Sequence, residues 1–320
     1  MTTPPELSAI LITPDGYASI RKVIGILQAQ NVRQLIELII VVPERDALTV
    51  IESELDGFHS WRVVEAGRIE GAGQMMASGV RAARAPVVVY VEEHSFPVAG
   101  WAEALLAAHR GPWVAVGAAV RNANPATGAS WAMLFLEFGA WVPPATAGER
   151  PLLPSHQTSY KRAALLAHDD ELDNLLESET RLQAVLLSDG HRLYFEPAAQ
   201  TDHVNVSRLP NLMMAAYQGY RMFAANRAAQ GRWSVPRRML YVAAGPLLPL
   251  VRVYRTLGEV RRCGLLGELW AKMCLPFVIA SIAASMGEIV GYSCGAGSAA
   301  RKRVTFELER SRHVAKADRA

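Results

Sequence analysis

The chain has 320 residues, 51% of them hydrophobic and 20% charged, a composition that can bury a large core and excludes intrinsic disorder over most of the length. The net charge of +3 is the sum of two parts of opposite charge. Residues 208–320 carry 18 Lys and Arg against 6 Asp and Glu, whereas residues 1–207 carry 15 Lys and Arg against 24 Asp and Glu. An acidic first part and a basic second part indicate two different surroundings. The three cysteines form no CxxC pair, which argues against a disulfide framework and a cysteine zinc site.

Residues 7–91 alternate between apolar runs that predict strands and amphipathic stretches that predict helices. This order predicts an α/β fold, in which helices cover both faces of a mostly parallel central sheet. In chain order we predict a strand over 7–13, a helix over 18–30, a strand over 35–42, a helix over 47–55, a strand over 61–65, a helix over 71–85 and a strand over 85–91.

The last of these strands is followed directly by Glu92, Glu93 and His94. Ligands of such sheets bind at the carboxyl ends of the strands, so these side chains form a candidate site for a divalent cation. Carboxylate oxygen suits Mg²⁺ or Mn²⁺, and the imidazole shifts the preference slightly toward Mn²⁺. The alternative interpretation is a solvated loop whose acidic residues cap the next helix, which is expected to begin near Gly100.

Two uncharged runs, 239–251 and 273–287, lie in the basic second part. Both are shorter than the roughly 20 residues of a transmembrane helix. Prolines 246 and 249 and the flanking arginines favour a re-entrant or in-plane helix on an anionic leaflet. The alternative is a soluble helical subdomain. An aromatic stretch, 131–141, predicts core packing, with a wall for a sugar or lipid acceptor as its alternative.

Residues 7–205 resemble a family 2 glycosyltransferase with the GT-A (Rossmann-like) fold. In that family an acidic motif at a strand end is followed by P-x-x-G-W, and here Glu92-Glu93-His94 is followed three residues on by Pro97-Val98-Ala99-Gly100-Trp101. Residues 153–162 resemble the "G-x-N-x-x-x-R-R" segment of the family, and residues 177–203 resemble its "E-D-x-x-L … G-x-R-L-x-x-x-P … H" block.

The resemblance implies a divalent metal cofactor, Mg²⁺ or Mn²⁺, and assigns its ligands. His94 would be the main metal ligand, Glu92 would hold the ribose or a metal-bound water, and Glu93 lies between them on the donor side. His203 would bind the metal or contact the diphosphate, with a purely structural role as the equal alternative.

The same resemblance implies an inverting enzyme with a carboxylate as general base. The catalytic Asp of the family aligns with Glu179, and Glu177 is the alternative because a slip of one or two residues is open. His156 would line the acceptor side. Lys161 and Arg162 would neutralise the diphosphate or, alternatively, lie exposed at a helix start.

Two departures from the family pattern concern the nucleotide. The second strand normally ends in Asp-Asp, whereas here Pro43 follows it, with Glu44 and Asp46 nearby. The Arg-Asn pair of the later helix is replaced by Met76-Ala77. A catalytically degenerate GT-A domain, acting as a membrane-bound binding or scaffold protein, is therefore the alternative function. A nucleotidyltransferase is a third and weaker hypothesis, because the first strand lacks a Gly-rich basic loop.

We expect three parts: a GT-A glycosyltransferase-like domain over 1–205, a helical membrane-associating region over 206–298 and a charged tail over 299–320. The expected partners are a nucleotide-sugar donor, a lipid-linked or cell-envelope glycan acceptor and a membrane surface. Nucleic acid is not expected, because basic and aromatic residues do not interleave. The N-terminus lacks a secretory signal pattern, so we expect the protein at the cytoplasmic face of the cell membrane.

Overall fold

The computed structural model describes residues 4–14, 16–69, 71–308 and 310–318. The strands are β1 (Leu7–Ile12), β2 (Ile36–Val42), β3 (Ser60–Glu65), β4 (Val87–Val91), β5 (Ser95–Pro97), β6 (Ala115–Asn122), β7 (Gly148–Glu149), β8 (Thr158–Lys161) and β9 (Leu193–His203). The helices are α1 (Tyr17–Gln28), α2 (Ala72–Ala82), α3 (Trp101–His109), α4 (Gly128–Phe138), α5 (Arg162–Leu166), α6 (Leu172–Leu176), α7 (Glu179–Ser188), α8 (Leu209–Gln230), α9 (Val235–Ala244), α10 (Leu248–Arg262), α11 (Leu266–Cys294) and α12 (Ala299–Leu308).

The strands form one sheet in the order β3-β2-β1-β4-β8-β6-β9-β5, with β7 paired to β9. The first four strands of this order are parallel, whereas β8 runs antiparallel to β4 and β6. The predicted α/β class is confirmed. The carboxyl ends of β1, β2 and β4 meet at one edge of the sheet, and this edge positions the acidic motif.

Both faces of the central strands are covered, which explains their continuous apolar sequences. Every residue of β1 and β2 is buried. Alternate side chains of β1 point to opposite faces: Leu11 joins the core cluster with Ile20 and Leu27 of α1, whereas Ile10 packs against Gly79 of α2. A Cβ at Gly79 would overlap the Ile10 side chain, so the small residue allows α2 to approach the sheet closely.

The predicted helix over 47–55 is wrong. The structure has two short 3₁₀ turns there, Arg45–Ala47 and Glu52–Glu54, separated by irregular chain. Three successive β-branched residues, Thr49, Val50 and Ile51, lower the helix propensity of this segment.

The chain divides into two compact units. The first unit comprises residues 1–121 and 145–202, and the second comprises 122–144 and 203–320. Both divisions fall at the last residue of a strand, Asn122 in β6 and His203 in β9, so the position of each of these two residues is set by its strand. The expected three-part division into 1–205, 206–298 and 299–320 stays a prediction; residues 309, 319 and 320 of the tail lie outside the described residues.

The second unit is helical and is organised around α11. This helix packs against α8, α4, α10 and α9, and α8 also contacts α12. Gly287 and Gly291 of α11 lie against the backbone of α8, where a Cβ would collide with the carbonyl oxygens of Tyr217 and Arg221. Within the described ranges, α11 is the one helix whose length and apolar composition suffice to cross a membrane, and half of its most apolar stretch is buried in the protein.

One fully buried carboxylate, that of Glu37 in β2, links three strands and a loop. Ser8 Oγ donates to its Oε2 (2.5 Å), Arg62 Nη2 donates to its Oε1 (2.5 Å), and the backbone N–H of Arg84 donates to Oε2 (2.8 Å). Removing the acceptor therefore leaves the buried Ser8 hydroxyl without it and deprives the partly exposed Arg62 of its ion pair.

We predict that Glu37→Ala lowers the free energy of unfolding by about 2 kcal/mol, because the buried Ser8 hydroxyl loses its acceptor without gaining water and Arg62 loses its ion pair. Urea unfolding measures the change. The matched control is Glu65→Ala at the exposed end of β3, which should change the value by less than about 0.5 kcal/mol. Equal effects of the two variants would contradict a structural role for the buried carboxylate.

Candidate functional site

The acidic motif forms the turn between β4 and β5 at the carboxyl-terminal edge of the sheet. Glu92 and His94 are buried, with 2% and 4% of their surfaces exposed. The next helix, α3, begins after Gly100 without a side-chain cap. The motif is therefore neither a solvated loop nor a helix cap, because Glu92 and His94 are withdrawn from water.

Gln157, in the loop before β8, holds the Glu92 side chain by a hydrogen bond. Gln157 Nε2 donates to Glu92 Oε2 (3.2 Å) and to Ser95 Oγ (2.7 Å), so one amide spans both ends of the turn. This contact fixes the direction of the Glu92 carboxylate and leaves Oε1 toward His94, whose Nε2 lies 3.6 Å away.

The protonation of His94 follows from its neighbours. Its Nδ1 lies 3.0 Å from Glu93 Oε1, and a carboxylate oxygen only accepts, so Nδ1 carries the hydrogen. In the neutral ring, Nε2 then presents a lone pair toward the Glu92 carboxylate. Two electron-rich atoms facing each other in a buried place favour a cation between them. Carboxylates that orient ligand imidazoles in this manner are common around metal sites.

His203, the last residue of β9, has the same kind of orientation. Asn205 Nδ2 donates to Asn122 Oδ1 (3.0 Å) and to the His203 carbonyl (3.2 Å), so the other end of the amide, Oδ1, faces His203 Nδ1 at 3.0 Å. Because an amide oxygen accepts, Nδ1 donates and Nε2 keeps its lone pair. The imidazole is thus prepared to act as a ligand through Nε2.

Glu92, His94 and His203 are a candidate divalent metal centre. Each offers one ligand atom, these atoms all lie within 4.8 Å of one another, and all three residues are buried. One carboxylate and two neutral imidazoles suit Mn²⁺, which accepts nitrogen ligands beside oxygen, better than Mg²⁺, which prefers oxygen alone. The donor set therefore fits the cofactor that the sequence predicts.

Glu179, the first residue of α7, is a buried carboxylate on the same side of the sheet. The backbone N–H of His156 donates to its Oε1 (2.6 Å), and the Tyr160 hydroxyl donates to its Oε2 (2.9 Å). Burial raises the pKa of Glu179 above its usual value of 4.5; the nearby His156 opposes this shift and the charge of Glu92 adds to it. Glu92 and Glu179 are thus close enough to interact electrostatically.

The backbone at His156 is unusual. Its φ of +62° is rare outside glycine, and the conformation directs both the N–H and ring Nδ1 (3.3 Å) toward Glu179. The ring edge packs against Tyr90 of β4, with centroids 5.9 Å apart. His156 therefore links the end of β4 to the start of α7.

Three candidate residues lie elsewhere. Glu177 accepts a hydrogen bond from the Gly73 N–H (2.8 Å) in the first turn of α2, where a negative charge is stabilising. Lys161 pairs with Val87, and Arg162 donates from Nε to the Val80 carbonyl and from Nη2 to the Arg81 carbonyl.

Val87 is the first residue of β4, whereas the acidic motif follows the last. The five residues of this strand span about 15 Å. The structure therefore does not bring Lys161 and Arg162 to the acidic motif, and a contact of these two cations with a diphosphate there has no support in their placement.

Sequence reasoning missed four residues that support the site: Tyr90, Gln157, Tyr160 and Asn205. Gln157 and Tyr160 lie inside the segment 153–162 that resembles the family. The polar residues of this segment were the signal from which their supporting role could have been predicted. Glu44 and Asp46, considered as replacements for the usual Asp-Asp, are exposed after β2.

Neither a protein-family model nor a curated protein matches the chain. Among solved structures, a mannosyltransferase from Pyrobaculum calidifontis in complex with GDP-Man and Mn²⁺ is 16% identical, with a TM-score of 0.52, covering 95% of this chain and 88% of that one. S. aureus TarS 1–349 in complex with UDP (16% identity, TM-score 0.45) covers 86% and 90%, and a mycobacterial protein (16%, 0.41) covers 63% and 68%. The first of these shows a shared fold, so the predicted glycosyltransferase-like fold class is confirmed.

We predict that Mn²⁺ raises the melting temperature of the protein and that His94→Ala weakens Mn²⁺ binding at least tenfold, because one of three ligands is lost. Titration calorimetry measures the affinity. His191→Ala removes an exposed imidazole and serves as the control, with unchanged affinity. Unaltered Mn²⁺ binding in His94→Ala would exclude the proposed centre.

Proposed function

We propose that the protein is a metal-dependent, inverting glycosyltransferase of the family 2 type. It moves a sugar from a nucleotide-sugar donor to a hydroxyl of a lipid-linked or cell-envelope glycan. The observation that carries the proposal is the pairing of a buried carboxylate, Glu179, with the Glu92–His94 cluster at the carboxyl-terminal edge of the sheet. The shared fold with a mannosyltransferase solved with GDP-Man and Mn²⁺ supports it.

On the donor side, Glu92, His94 and His203 would hold the divalent ion, which supplies positive charge opposite the departing diphosphate. Glu93 and Asn205 keep the two imidazoles in the tautomer that leaves Nε2 available. These residues are fixed before the donor arrives, so little reorganisation accompanies the development of charge.

On the acceptor side, Glu179 acts as the general base. The acceptor hydroxyl oxygen attacks the anomeric carbon, the bond from that carbon to the diphosphate oxygen breaks, and the nucleoside diphosphate leaves with the electron pair. The hydroxyl proton passes to the Glu179 carboxylate. The raised pKa of Glu179, caused mainly by burial, makes it a stronger base than a solvated carboxylate.

The location that we propose is the cytoplasmic face of the cell membrane, supported by the basic charge and exposed apolar side chains of the second unit. A second candidate function is a degenerate, membrane-bound binding or scaffold protein. It is favoured by one observation: Glu44 and Asp46, which follow β2 where the family reads the nucleobase, are exposed.

If Glu179 is the base, Glu179→Gln should lower kcat by about 10²–10⁴-fold. A base works only when ionised, so wild-type kcat/KM should rise with pH as Glu179 loses its proton, over a range above the ordinary pKa of 4.5. The residual activity of Glu179→Gln should lack this rise. Initial rates across pH measure both effects.

Glu171→Gln, at an exposed carboxylate of the preceding turn, is the matched control and should keep full activity. Glu177→Gln distinguishes the alternative base. A loss in Glu177→Gln together with full activity in Glu179→Gln would transfer the role to Glu177 and contradict the assignment.

A panel of UDP- and GDP-sugars, each with and without Mn²⁺, tests the donor. A cognate donor at 100 times its Kd adds about 2.7 kcal/mol, which raises the melting temperature by about 4 °C. Binding followed by release of nucleoside diphosphate supports the enzyme, and binding without turnover favours the scaffold. Absence of any shift across the panel would contradict donor binding.

A further inference from the structure

The second unit exposes an apolar row along α10 and the 3₁₀ turn before it. Leu247, Leu250, Val251 and Tyr254 follow the spacing i, i+3, i+4 and i+7, which places them on one side of the helix. This side would ordinarily be buried, yet Leu250 is 69% and Tyr254 80% exposed. Contiguous exposed apolar surface of this kind marks an interaction site.

Further exposed apolar side chains of the second unit lie on α9 and α11. On α9, Leu240 is 66% exposed, and on α11, Ile282 and Met286 are exposed four residues apart. Both α9 and α10 contact α11, so these exposed apolar side chains lie on neighbouring helices of the second unit. We call this surface the docking face and define it by six residues: Leu240, Leu247, Leu250, Tyr254, Ile282 and Met286.

The contacts of α11 argue against an arrangement in which this helix crosses a bilayer. The opposite side of α11, with Phe277 and Ala284, is buried in the unit. Near the end of the helix, Arg252 of α10 forms an ion pair with buried Glu288 and donates to Ser285 Oγ (2.6 Å). A spanning arrangement that moved α11 away from the other helices would separate this buried pair, at a high cost.

The charge around the docking face is strongly positive. Residues 235–262 contain six arginines and a single carboxylate, Glu259, which pairs with Arg262. Arg255 lies one residue from Tyr254, is exposed, and forms no hydrogen bond or ion pair with any other described residue. It lines a cavity of about 450 Å³ together with Val251, Phe223 and three carboxylates, Glu137, Glu259 and Glu288; Glu259 and Glu288 pair with Arg262 and Arg252. An apolar face near the unpaired guanidinium group of Arg255 matches the boundary between acyl chains and phosphates.

We propose that the docking face lies in the plane of an anionic phospholipid bilayer, with Arg255 binding a lipid phosphate. A second copy of the chain fits this face less well, because a two-fold contact would oppose the arginines of each copy. The inference rests on the membrane location proposed above and is independent of the transfer reaction.

Co-sedimentation with vesicles tests the proposal. The full chain should bind vesicles of phosphatidylcholine and phosphatidylglycerol, and bind pure phosphatidylcholine more weakly. The double variant Leu250→Glu/Tyr254→Glu should bind at least tenfold more weakly, whereas Ile51→Glu, an exposed apolar position of the first unit, should bind like the wild type. Arg255→Gln should weaken binding to the anionic vesicles by about fivefold.

Three outcomes would overturn the proposal. These are equal binding by the double variant and the wild type, retention in cell membranes after an alkaline carbonate wash, which indicates a spanning helix, and a lipid-free dimer that the double variant abolishes. All substituted side chains are exposed, and circular dichroism checks that the variants fold. The double variant should keep the nucleotide-sugar melting shift, so a failure of docking and a failure of the proposed function are distinguishable.

Discussion

The burial of two carboxylates at one edge of the sheet is the constraint on which the candidate site depends. Glu92 and Glu179 are both almost fully buried, and the charge of one raises the pKa of the other. A buried charge is tolerated only where hydrogen bonds or opposite charges compensate for lost water. Gln157 donates to Glu92, and His156 and Tyr160 donate to Glu179, so β8 and the loop before it provide most of this compensation.

The sheet explains why the carboxylates lie where they do. The central strands β1 and β2 are buried throughout, and a polar side chain within them needs partners such as those of Glu37. Side chains that could bind a ligand are therefore expected at the strand ends, where the chain leaves the apolar layer. Glu92 and His94 lie in the turn that follows the carboxyl end of β4, so the end of this strand alone brings them close together.

Much of this arrangement is predictable from sequence, because strand signals and motif positions are local. The strand predicted over 85–91 contains β4, and the acidic motif follows it. The placement of Lys161 and Arg162 was not predictable in that way. Strand β8 runs antiparallel to β4, so a segment that begins at the acidic edge, with Gln157, ends at the opposite edge. Strand direction is a long-range property, and no residue between 153 and 162 encodes it.

The same distinction between local pattern and long-range contact applies to the basic second part. Its net charge of +12, counted from residue 208, overstates the positive surface because several arginines are used inside the unit. Arg252 pairs with Glu288, and Arg227 lies over the rings of Trp233 and Tyr241. Arg255, beside the apolar row of α10, has no such partner among the described residues. The proposed docking of the helical unit on a phosphate-bearing surface therefore depends on the location of the unpaired charge rather than on the total charge.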